Sequence, residues 1–106
     1  MPKYLVKASY TAQGAGGVVK EGGSGRRDTI EKLISGLGGT MESFYFGFGE
    51  SDAYVTAELP DNVTAAAIAL AVNSTGAAQV STVVLLTPEE VDEAAKKSVD
   101  YRPPGA

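Results

Sequence analysis

Lys7, Tyr45, Tyr54, Thr56 and Glu58 are the side chains in this sequence best suited to act on a small molecule together. An ammonium beside a phenol or a carboxylate can serve as a general acid or base, or can hold an enolate. Two-residue alternation along three strand-like segments places these five, with Ser9, on one face of a sheet. The same set reads equally as an amphipathic subunit interface. Lys7 would then pair with Glu58, and each tyrosine would offer an apolar body with a polar tip.

A second constellation is Gly22-Gly23-Ser24-Gly25-Arg26-Arg27, at the start of a helical pattern. Backbone amides, the Ser24 hydroxyl and two guanidinium groups are the donors an anion needs there. The Walker pattern is absent, and no G-x-G-x-x-G follows a strand. The alternative is plain turn chemistry, with Arg26 and Arg27 solvated or paired with acids. A third candidate is Pro2, because a proline amine at a chain start can act as a base. It would do so only once Met1 was removed, with Arg26 and Arg27 taking a substrate carboxylate.

Absences narrow the chemistry further. The chain has no Cys and no His, which removes disulfides, thiolate nucleophiles, Cys/His zinc sites and histidine-based triads. A metal would need oxygen ligands alone; neither a metal site nor a cofactor is expected. Nine basic against thirteen acidic residues give a net charge of −4, which argues against a nucleic-acid partner. No segment has the length of a membrane span or the apolar core of a signal peptide, so a cytoplasmic location is expected. Asn62-Val63-Thr64 and Asn73-Ser74-Thr75 fit the glycosylation acceptor pattern, which a cytoplasmic chain does not use.

The elements that must position these residues are legible in 106 residues, the length of one domain spanning 1–106. Lys3 to Tyr10 predicts a strand, with Tyr4, Val6, Ala8 and Tyr10 on the face opposite Leu5, Lys7 and Ser9. Thr11 to about Gly39 predicts a broken helix. Its first half is diluted by glycine and weak alone, and its second half is capped by Ser24. Thr40 to Phe48 predicts a strand apolar on both faces, with Phe44, Phe46 and Phe48 opposite Met41, Tyr45 and Gly47. A turn at Gly49 to Asp52, closed by Asp52 through its own backbone, leads to a strand over Ala53 to Leu59. An Ala-rich helix over Val63 to Ser74 and a strand over Ala78 to Leu86 follow. Thr87-Pro88-Glu89-Glu90 predicts a capping box opening a last helix, and Tyr101 to Ala106 an extended tail. The order is βαββαβ with an extra C-terminal helix. That predicts an α+β ferredoxin-like fold, with helices on one face of a four-stranded antiparallel sheet. The other face, carrying Leu5, Met41, Tyr45 and Tyr54, needs a cover. A second copy of the chain is the simplest one, so a homo-oligomer is expected, with Tyr101 packed across a subunit boundary.

The segments Tyr4 to Thr11, Lys20 to Arg27, Phe44 to Gly49, Val83 to Val91 and Ser98 to Gly105 resemble those of bacterial GYD-domain proteins, across essentially the whole chain. The resemblance implies a dimeric α+β barrel arrangement and brings no established activity with it. The motif that names the family lies at the turn before the third strand, where this sequence reads Gly49-Glu50-Ser51-Asp52. Gly49 and Asp52 match, and Ser51 stands where tyrosine is expected, so no role of that ring carries over. The expected function is a self-associating domain that binds a small molecule or a protein partner. The alternative is a cofactor-independent enzyme acting on a small substrate with Lys7 and the tyrosines.

Overall fold

The eight residues Lys3–Tyr10 alternate in character, and in the computed structural model, which describes residues 1–106, they form β1. There follow α1 (Ala12–Glu21), α2 (Gly23–Gly36), β2 (Thr40–Phe46), β3 (Ala53–Glu58), α3 (Asn62–Ser74), β4 (Ala78–Leu85) and α4 (Pro88–Ala95). The sheet order is β2-β3-β1-β4, and each of the three pairings is antiparallel. Two helical crossovers around a central β2–β3 hairpin give this order, and the fold is ferredoxin-like α+β.

Strand β3 shows why one face became the core. Ala53, Val55 and Ala57 are buried, Tyr54, Thr56 and Glu58 are only half-buried, and the alternation runs on to buried Leu59. Tyr4, Ile34, Val55, Ala57, Leu59 and Ala65 form the core, joined by Val6, Ile30, Met41, Phe44 and Ile68. The Tyr4 hydroxyl reaches the end of this layer and donates to Asn62 Oδ1 at 2.6 Å, satisfying the one polar atom that the ring brings inside.

Three local features differ from the sequence reading. A β-bulge between Met41 and Ser43 shifts the phase of β2, so Met41 faces Ala57 and the core rather than the open face. Strand β2 also ends at Phe46, and Phe48 lies beyond it in solvent. Helix α2 starts at Gly23 with Gly22 as its N-cap, so Ser24 lies inside the first turn and caps nothing. Gly22 has φ +88°, a conformation open to glycine at little cost, and it lets α1 end and α2 begin without a loop.

Helix α1 is firmer than its glycine content suggests. The Thr11 hydroxyl accepts from the Gly14 amide at 3.3 Å and donates to the Gly76 carbonyl at 2.9 Å. The Thr11 amide donates to Ala77 O at 3.0 Å. Gly14 sits so close to that strand entry that a Cβ would lie 1.9 Å from Ala77 O, so only glycine fits.

At the far end, the predicted capping box closes α4, with the Thr87 amide on Glu90 Oε1 and the Glu90 amide on Thr87 Oγ1. Every residue of α4 is exposed, as are Val99 and Tyr101 in the tail, so Tyr101 makes no buried contact within its own chain. This arm stretches the molecule to 55 Å and its radius of gyration to 16.8 Å, against about 13 Å for a compact chain of this length. No helix is long and apolar enough to cross a membrane.

Asp52 ties the sheet together in a way the turn alone does not require. Its carboxylate accepts the Tyr10 amide at 2.8 Å, its own amide donates to Ala8 O at 2.8 Å, and its carbonyl accepts from Gly47 at 2.8 Å. The expectation that Asp52 only closes its own turn is therefore corrected. The backbone does close the hairpin onto Gly47, but the side chain bridges to β1. Pairing of β1 with β3 ends at Ala8–Ala53, so the Tyr10 amide has no strand acceptor on that side and the carboxylate supplies one.

Two predictions follow from these bonds. Asp52→Ala is expected to lower unfolding stability by about 1.5–3 kcal/mol, the usual worth of a hydrogen bond to a charged group, with Asp52→Asn intermediate; urea titration measures it. Asp61 caps α3, and the Thr64 backbone amide, then its hydroxyl, hold the Asp61 carboxyl below its ordinary value of 3.8. A depressed folded-state pKa gives stability that is fully present above the unfolded value and lost as pH falls through the folded one. The stability gap between the parent and Asp61→Ala is thus expected to be constant near neutrality and to shrink below about pH 4, as read by thermal melts across pH.

Candidate functional site

The sheet register decides which of the predicted residues meet. On the face away from the helices, Tyr45 lies opposite Tyr54, Tyr54 opposite Lys7, and Lys7 opposite Ser81, making one row across all four strands. The next row is Ser43, Thr56, Leu5 and Val83, in which the Ser43 and Thr56 hydroxyls share a hydrogen bond. The third row is Thr40, Glu58, Lys3 and Leu85.

Lys7, Tyr45 and Tyr54 are therefore brought together, with Thr56 one row away. Glu58 is not brought to Lys7. It stands opposite Lys3, four residues further along β3, which is about 13 Å at strand rise. The Lys7–Glu58 pair does not form. The ion pair on this face joins Lys3 Nζ to Glu42 Oε2 at 3.2 Å, and Glu42 is the extra residue of the bulge. Ser9 lies at the end of the face, opposite Gln79.

None of Lys7, Tyr45, Tyr54, Thr56 or Glu58 lines any of the larger hollows of the molecule. Tyr54 is half-buried because its ring lies across Gly47, where a Cβ would come within 2.9 Å of Cε1. Tyr45 remains 71% exposed. Such a row offers two phenols, an ammonium and a hydroxyl to a broad surface. It does not enclose a reacting atom, as acid–base work on a small substrate requires.

The Gly-rich segment resolves into two unlike arginines. Ser24, Gly25, Arg26 and Arg27 occupy the first turns of α2, and successive helical side chains point about 100° apart. Arg27 turns outward and its Nε donates to Asp28 Oδ1 at 3.3 Å. Arg26 turns inward, half-buried, against the helix-covered face of the sheet, and forms no ion pair. Ser24 is exposed. The two guanidinium groups do not converge on one anion.

Pro2 lies at the other end of β1 from the residues around Arg26. Its carbonyl accepts from Leu59, whereas Arg26 shares a hollow with Tyr10. Pro2 lines neither of the two hollows that Arg26 lines, so the structure does not bring them together in one site. Gly49 is exposed with open space around it, and Asp52 acts within the sheet as described. No three or more acidic side chains gather in a way that would hold a metal ion.

Sequence reasoning missed the space on the helix side. Small side chains at inward strand positions, among them Ala8, Ala53, Ala57 and Ala78, leave a cavity of about 60 Å³ below α2 and α3. Its lining is apolar except for Arg26. Beside it runs a groove of about 500 Å³ between α1, α2 and α3, and the two share Tyr10, Arg26, Leu33, Val72 and Ala78. The signal available in the sequence was the run of alanines on core-facing strand positions, opposite helices that carry only moderate side chains.

A search of curated proteins and a search of solved structures each find no match. The model of one family, described as GYD domain, matches residues 4–95, from the second residue of β1 to the end of α4. The chain belongs to the GYD-domain family.

Proposed function

We propose that this protein is a self-associating binding domain that pairs with a second copy of itself through the open face of the sheet, and that it works in the cytoplasm. The observation that carries this reading is the row structure of that face. Leu5, Val83, Leu85, Tyr45 and Tyr54 lie there with no helix above them. Of the large apolar side chains left exposed, Tyr45 and Val83 lie on this face and Leu86, Val91, Val99 and Tyr101 on the C-terminal arm, an exposure that a covering partner relieves.

A second copy suits this surface for electrostatic reasons. The face carries Lys3 and Lys7 from β1 and Glu42 and Glu58 from β2 and β3. A two-fold axis sets each residue's surroundings against their own equivalents, so a patch bearing both signs is self-complementary. Four strands of about eight residues give a footprint of roughly 500 Å², short of the roughly 800 Å² per partner of a standard interface. The C-terminal arm, with Leu86, Val91, Val99 and Tyr101 exposed, supplies the remainder if it lies across the partner.

Sedimentation at micromolar concentration is expected to give a mass at least twice that of one chain; a single-chain mass for the parent would end the proposal. Leu5→Glu, which places a charge at the centre of the open face and leaves the core untouched, is expected to yield a folded monomer by sedimentation and circular dichroism. Removal of residues 98–106 is expected to weaken association about tenfold or more, equivalent to about 1.4 kcal/mol, as measured by dilution. Unchanged dissociation would leave the tail outside the interface.

A further inference from the structure

The cavity under the helices lies on the opposite face of the sheet from the proposed interface, and its chemistry points to a different occupant. An apolar hole of about 60 Å³ lined by alanine, valine, isoleucine and leucine gives water few partners, and holes of this kind stay dry or take apolar guests. Arg26 is the exception in that lining. Its side chain runs along apolar surface at the junction of cavity and groove, and no acid or carbonyl of the chain pairs with it. The acid that shares the groove, Glu21, forms no ion pair with Arg26; its carboxylate lies 3.2 Å from the Thr29 hydroxyl, whose proton also has the Gly25 carbonyl at 3.0 Å.

We propose that the cavity and groove around Arg26 form a binding site for an apolar monocarboxylate, whose hydrocarbon end enters the cavity between α2, α3 and the sheet while its carboxylate pairs with the Arg26 guanidinium. Three features select this class. Groove and cavity together fall in the usual size range of a small-molecule site. A planar guanidinium is matched by a carboxylate in two parallel hydrogen bonds. A single guanidinium beside Glu21 favours a monoanion over a phosphate dianion, whose second charge it leaves unbalanced and whose repulsion by the acid is about twice as large. The floor of the hole is open because Ala53, Ala57 and Ala78 occupy the inward positions of β3 and β4. The groove keeps its wall because Gly14 lets α1 approach Ala77.

The test uses the native full-length protein with octanoate, 1-octanol and octyl phosphate as probes, all below their aggregation concentrations. Calorimetric titration is expected to show octanoate binding at least about tenfold more tightly than 1-octanol and more tightly than octyl phosphate. Arg26→Gln is expected to bring octanoate down to the affinity of 1-octanol while leaving 1-octanol unchanged. Ala53→Leu, which fills the hole, is expected to weaken all three, and Ala78→Val serves the same purpose if the larger residue prevents folding. Methyl NMR of the parent locates the guest independently of any variant, with octanoate expected to shift Val55, Ile68 and Val72. Equal binding of octanoate and 1-octanol by the parent, or undiminished octanoate binding by Arg26→Gln, overturns the proposal. Methyl shifts confined to Leu5 and Val83 overturn it too, since they place the guest on the open face. A monomeric parent in sedimentation would remove the interface and leave this site standing, so the two readings fail separately.

Discussion

The carboxylate of Asp52 on the amide of Tyr10 is the bond around which the upper end of the molecule is arranged. There β1 runs past its partner β3, and an amide aimed at the missing strand would be left without an acceptor. By accepting it, Asp52 fixes the exit of β1 and, through its backbone, the β2–β3 connection at Gly47. Thr11 follows at once as the cap of α1, and its amide and hydroxyl hold the entry to β4. Gly14, Gly22 and Arg26 take their positions from that start. The mouth of the groove therefore rests on a carboxylate that does not itself line it.

The sheet has two faces with opposite problems. Under the helices the inward residues are too small, and about 60 Å³ remains unfilled. On the other face the residues are large enough but have nothing above them. Both conditions cost stability, the first by lost packing and the second by apolar exposure to water. A chain that buries nine residues has little margin for either. Occupancy of both faces, by a guest and by a second copy, is the arrangement that relieves them together.

Strands, helices and fold were legible because they rest on short-range signals. The alternation of Ala53 to Leu59 and the Thr87 capping box each act within a few residues, and each stands where the sequence pattern placed it. Met41 was misplaced because a bulge adds one residue between it and Ser43 and so reverses its facing relative to Phe44 and Tyr45, which stand as expected, and nothing in Thr40-Met41-Glu42-Ser43 announces it. Ser24 was misplaced because Gly22, two residues earlier and able to adopt φ +88°, takes the capping position instead.

The sequence by itself determined the ferredoxin-like order of elements, the lack of imidazole and thiol chemistry, and the polar-aromatic character of the open face. Those depend on residue type and on periods of two and 3.6, which any chain carries in its order. Tertiary structure alone decided that Lys7 meets Tyr54 and not Glu58, that Lys3 reaches Glu42, and that Arg26 and Arg27 part company. Each of these depends on register or on helix phase. A shift of one residue turns a strand side chain to the opposite face, and one step along a helix turns it by about 100°. The cavity was decided in the same way: alanines are small wherever they stand, but a void exists only where small residues from β1, β3 and β4 face helices that come no closer.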